Sequence, residues 1–236
     1  MSLLAIPSGS SSNVSGSFYP YAIDGSLRVE HSASGYLTRA QSAGNRRTFT
    51  FSCWVKLARD KDDSRRSTLF SAGRTDTLSG NDPHLTIWSD DYIRWEGDGG
   101  SFKKEWSMKL RDYSAWYHIV LRIDSTQADS NARVRLYING EVQTDTRNNS
   151  VIGQNAEYGV NQSGKSAYIG AQNDGGSPVV GSDFYMAEVN FVDGQSLHAN
   201  SFGETQSGVW VAKEYTGSYG TNGFHLTFDG NANDSS

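Results

Sequence analysis

The run from Thr48 to Leu57 alternates without interruption. Phe49, Phe51, Cys53, Val55 and Leu57 fall on one parity, and Thr48, Thr50, Ser52, Trp54 and Lys56 on the other. Period two is the repeat of a strand with one face in a core, and no helix can gather those apolar residues on one side. Two more segments repeat the pattern. Trp116–Asp124 turns Tyr117, Ile119, Leu121 and Ile123 inward, and Ala132–Ile138 turns Val134, Leu136 and Ile138 inward before meeting Asn139-Gly140, a strong hairpin signal. His84–Trp88, Tyr92–Glu96, Ser166–Ala171, Phe184–Val192 and Phe224–Phe228 read as further strands. Asp24-Gly25, Asp193-Gly194 and Asp229-Gly230 mark turns. No stretch carries apolar residues at helical spacing, and the best helical candidate is a short turn near Leu197–Phe202. Many short strands without helices predict an all-β, antiparallel two-sheet sandwich of the jelly-roll type. Its core should include Phe51, Ile119, Leu121 and Leu136.

The 236 residues divide into an N-terminal arm over 1–17, one sandwich over 18–228 and a tail over 229–236. The arm contains Ser8–Ser17, a Ser/Gly stretch with nothing to bury, which reads as a linker or as a strap onto a neighbouring subunit. The formal net charge of −5 argues against nucleic-acid binding, which needs a basic footprint. The one cysteine, Cys53, excludes an intrachain disulfide, and its inward parity marks it as an inert thiol. Apolar runs are too short to insert in a membrane, and Met1–Pro7 lacks the basic lead and apolar length of a secretory signal. Synthesis in a bacterial cytoplasm fits these features.

The segments Phe49–Lys56, Trp116–His118, Leu136–Gly140, Tyr168–Gly170 and Phe184–Leu197 resemble, in content and order, the concanavalin A-like jelly rolls, above all laminin-G-like and pentraxin-like domains. The resemblance spans nearly the whole chain and implies the fold. It leaves open lectins, glycanases and adhesion modules, all of which use that fold. The opening Ser/Gly stretch, Phe202–Thr205, Gly208–Gly217 and Tyr219–Phe224 also resemble virion structural proteins of marine tailed bacteriophages. The final Asp229–Ser236 is similar to the opening of a further laminin-G-like unit, which implies continuation beyond Ser236.

A glycanase on this fold needs carboxylates at alternate positions of one strand, so that all aim into the cleft. Glu188-Val-Asn190 supplies one carboxylate and one amide, and Asp193 has the opposite parity, so no catalytic residue is assigned. His118, inside the Trp-x-His strand, reads as structural. The resemblance implies calcium at one edge of the sandwich, with Asp82 as the matched carboxylate and Asp91 beside it. The competing reading, turn-making by Asp-Pro and Asp-Asp pairs, is preferred, and no cofactor is assigned. The non-core parity displays Trp54, Trp88, Trp116 and Tyr137 beside Arg122, Arg133 and Arg135. Aromatics beside cations make a surface on which sugars stack, with Trp54 and Trp88 expected on one open face. The alternative is that loops or a neighbour bury them. The expectation is therefore a non-enzymatic virion protein, as tail fibre, appendage or head decoration. It would be homo-oligomeric, in contact with other virion proteins, and would bind host-surface glycan or serve assembly alone.

Overall fold

The computed structural model describes residues 19–58, 65–73, 82–97, 102–150, 152–174, 177–181 and 183–230. The N-terminal arm and the tail beyond residue 230 lie outside them. Two antiparallel sheets face each other. The first runs β1 (Leu27–Val29), β15 (Phe184–Asp193), β3 (Thr48–Leu57), β8 (Tyr117–Asp124), β9 (Val134–Ile138), β10 (Glu141–Val142), with β18 (Phe224–Leu226) also on β15. The second runs β11 (Thr146–Ser150), β7 (Lys103–Lys109), β6 (Tyr92–Gly97), β5 (Pro83–Ile87), β4 (Ser67–Gly73), β12 (Ser166–Ile169), β2 (Leu37–Ala40). Two hairpins stand apart, β13 (Gln172–Asp174) with β14 (Ser177–Val179), and β16 (Gly203–Gln206) with β17 (Val209–Ala212). The all-β sandwich expected from the alternation is present. Among the described residues, no helix is long and apolar enough to cross a membrane.

The core lies where the parity puts it. Phe49, Phe51, Cys53, Val55 and Leu57 are buried on β3, and Ile119, Leu121 and Leu136 are fully enclosed beside them. Register explains why they meet: Phe51 pairs with Leu121, and Leu121 with Leu136. The ring of Phe51 stacks on Phe70 of the opposite sheet at 5.1 Å, and Phe70 on Phe191 at 5.3 Å, so aromatic contacts tie the layers. Cys53 is buried, and desolvation pushes its thiol above the usual range. Asn139 and Gly140, at φ 49° and 86°, make the tight turn from β9 to β10.

β15 changes partners along its length. Phe184–Met186 pair with β1, and Val189–Phe191 pair with β18. Between them the register against β3 shifts at Ala187/Asn190, where Glu188 takes φ 48°. This bulge returns Val189 to the core and sends Ala187 and Asn190 outward, beside Trp54 and Ser52 of β3.

Candidate functional site

The outer face of the first sheet is partly covered by residues 195–222. Small polar side chains on β3 hold this cover: Thr50 Oγ1 donates to the Gln195 carbonyl at 2.8 Å and accepts from Leu197 N–H at 2.8 Å. Val120, Tyr137 and Val192 of the sheet then bury against Ala199 and Phe202, around the short 3-10 turn Ala199–Ser201. Asp193 pins the end of the strand by accepting from Asn45 N–H and Asn161 Nδ2 at 2.9 Å and Asn222 N–H at 3.2 Å. Its role is to join loops.

Trp210 of β17 comes down over His118. Its indole N–H donates to His118 Nδ1 at 3.0 Å, so the neutral imidazole carries its proton on Nε2, which donates to Ser52 Oγ at 2.9 Å. His118 is wholly buried, and desolvation drives its pKa down to about 3. Trp54 stacks on the ring at 5.0 Å and Trp210 at 5.9 Å. The indole of Trp210 fits because Gly140 and Gly203 have no side chains; a Cβ would meet it at 2.6 and 2.5 Å. His118 is thus structural, as its sequence context implied, and it sets the tilt of the tryptophans around it.

These aromatics floor a groove of about 690 Å³, lined by Trp54, Trp116, Trp210, Tyr19 and Tyr21 among others. Trp116 is 38% exposed and Tyr19 60%, so two of the rings are open to a ligand. The far wall is the segment 19–26. Tyr21 donates to Glu188 Oε2 at 3.0 Å, and Gly25 packs so closely on the Phe228 carbonyl that a Cβ would lie 1.9 Å from it. Burial, then Glu188, then Glu214 raise the Tyr21 phenol well above its usual range. Glu188 is itself buried and also meets His225 Nε2 at 2.7 Å. Its carboxylate is engaged as an anchor for the wall.

The aromatic and cationic residues expected on one open face fall into three places. Trp54 and Trp116 line the groove. Tyr137, Arg122 and Arg135 sit at the other end of the same sheet: Tyr137 is buried with its hydroxyl on His198 Nδ1 at 2.8 Å, and Arg122 contacts Ser196 and His198. Arg135 lies opposite Arg122 on β9. Burial, then Arg122 and Arg135, lower the His198 pKa, which fits its use as a neutral hydrogen-bonding ring. Trp88 is on the outside of the second sheet, so the shared Trp54–Trp88 surface does not exist: the two outer faces look in opposite directions. Arg133 is consumed by the carbonyls of Gln127, Ala128 and Ile152. Tyr19, Tyr21 and Trp210 are groove residues that alternation could not flag, because their segments carry no strand pattern long enough to read.

Asp82 and Asp91 do not come together either. Asp82 precedes β5, and Asp91 makes the turn after it at φ 68°, about 15 Å further along at strand rise. Asp91 accepts from Tyr113 OH at 2.7 Å, and its carbonyl takes Leu110 N–H. One calcium ion cannot use both. No group of three His, Cys, Asp or Glu side chains suited to a metal occurs among the described residues.

A laminin G-type family model, described as the concanavalin A-like lectin/glucanases superfamily, matches residues 31–201. A comparison of the sequence with curated proteins finds no match. Among solved structures, the chain is similar to a native heptameric SAP-like pentraxin from Limulus polyphemus. That match has a TM-score of 0.52 and 16% identity, over 75% of this chain and 79% of that one. It is also similar to the CBM40 of the Ruminococcus gnavus IT-sialidase, solved with α2,3-sialyllactose, with a TM-score of 0.42 and 15% identity over 69% of this chain and 90% of that one.

Proposed function

Because the chain belongs to the concanavalin A-like lectin/glucanase superfamily, we propose that it is a non-enzymatic, lectin-like module whose aromatic groove binds glycan. One observation carries this reading: three tryptophans and two tyrosines, from segments far apart in sequence, converge on a single open groove. Pyranose C–H faces stack on such rings, and the convergence has no need in the core, which Trp95 and Trp106 already fill. The non-enzymatic reading is supported by Glu188, whose contacts are Tyr21 and His225 rather than a second carboxylate.

The finer reading is a virion surface protein of a tailed phage, as tail fibre, appendage or head decoration, in contact with other virion proteins and present in repeated copies. Its support is the resemblance of 202–205, 208–217 and 219–224 to virion proteins, and those residues supply the cover and one wall of the groove. Stacking in an open groove predicts single-site affinity around millimolar, about −4 kcal/mol, and repeated copies raise avidity by factors of ~10²–10⁴. Glycan-array binding by a multivalent display of the chain, abolished by Trp116→Ala, is the test. An array on which the display binds nothing would leave an assembly role.

A further inference from the structure

On the footing that the groove binds glycan, its lining also names the class of glycan. Among the described side chains that line it, Asp24 alone carries a formal charge, and Asp24 is exposed. Two of its donors are already used: Trp210 N–H on His118, and Tyr21 OH on Glu188. Behind the wall stand Glu188 and Glu214, whose negative charge is felt at Tyr21.

Among the described residues, the cations of this face lie outside the groove lining. Arg122 is held by Ser196 beneath the 3-10 turn, and Arg28 pairs with Glu30 at 3.1 Å. Lys56, the next outward residue after Trp54, is likewise outside that lining. The groove is therefore aromatic with one carboxylate, and among the described residues no guanidinium or ammonium lines it.

We infer that this groove selects uncharged saccharides and rejects carboxylated or sulfated ones. Hydroxyls of a neutral sugar donate to Asp24 while its C–H face stacks on Trp116. An acidic sugar would bring an anion against Asp24, Glu188 and Glu214 with no cation among the described lining residues to offset it, a like-charge contact that costs about tenfold in affinity at the effective dielectric of a surface groove.

The test is a multivalent display of the full chain on an array pairing lactose-terminated glycans and neutral glucans with sialylated, uronate and sulfated counterparts. Wild type should favour the neutral members by about tenfold or more. Added salt should raise the acidic signals by screening. Trp116→Ala should remove all binding, and Asp24→Arg, at an exposed position, should narrow or reverse the preference while circular dichroism is unchanged. Acidic glycans preferred by wild type and lost in Trp116→Ala would overturn the charge rule while leaving the groove as the site. No binding, or binding that survives Trp116→Ala, would overturn the glycan reading itself, and this inference with it.

Discussion

On the outside of the second sheet, Arg94 lies 4.0 Å over Trp88, bonds Glu105 and reaches Asp90 at 3.3 Å, while Arg147 holds Glu105 from the other side at 2.9 Å. Glu96 takes the Trp88 indole N–H at 3.0 Å and His84 Nε2 at 3.3 Å. On the outside of the first sheet, small and aromatic strand residues such as Thr50, Ser52 and Tyr137 lie under 195–222. Both faces begin as the polar parity of period-two strands. The second sheet meets much of that parity within itself, by ion pairs and rings laid flat. The first sheet recruits a distant segment, and because the cover stops at Trp210, a groove remains beside it. An aromatic residue on an outer strand thus means different things on the two faces: Trp88 is clamped between Arg66 at 5.2 Å and Arg94, whereas Trp116 is presented.

Perturbing what the faces share should have the largest effect. Phe51→Ala removes the ring that stacks on Phe70 and should cost about 3–5 kcal/mol in denaturant unfolding, in one cooperative transition. A loss under about 1 kcal/mol would mean that the sheets do not depend on a common core. Next, Arg94→Ala strips one cation from buried Glu105. With Arg147 remaining, the cost should be about 2 kcal/mol, largely recovered when Glu105→Gln is added. An indifferent Arg94→Ala would show that the second face is no more than a set of exposed pairs.

The first face has an acid weakness of its own, centred on His118. His118 stays neutral in the fold with a pKa of about 3, below the ordinary 6.5, so between these values the unfolded chain binds a proton that the native one does not. Stability should therefore fall as pH drops from about 6.5 toward 3, by about 1.4 kcal/mol per unit from this group. His118→Gln can accept from Trp210 and donate to Ser52, and it should flatten that slope; unfolding midpoints at pH 7, 5 and 4 measure it. The smallest stability change belongs to Trp116→Ala, under about 0.5 kcal/mol, since the ring is 38% exposed. Calorimetry should show an unchanged fold alongside lost glycan binding. A substantial destabilisation would make Trp116 a packing residue and remove the contrast with Trp88.

The core was legible in the sequence because parity is local. Phe49 to Leu57 declare their inward face through their own alternation, and Asn139-Gly140 declares its turn through the two residues it occupies. The site was legible only in part. Trp54 and Trp116 could be named as outward aromatics, but which sheet a strand joins depends on crossovers between segments far apart, so Trp88 could not be separated from them. Tyr137 and Arg122 read as surface residues since nothing near them in sequence announces the turn at Ala199–Ser201 that covers them. Asp82 and Asp91, nine positions apart in number, looked like neighbours until β5 was seen to run straight between them.

The groove has a place in time as well as in space. Its floor, Trp54 on β3, is synthesised early, but Trp210 arrives almost at the end of the described chain. The wall at 19–26, although first made, seats on Phe228 through Gly25. Contacts that join both ends of a chain form late, because their loops are the longest to close. A nascent chain halted before Phe228 would thus lack the seat of that wall and, with it, a complete groove. A chain ending earlier would carry Trp54 and Trp116 without the wall that faces them.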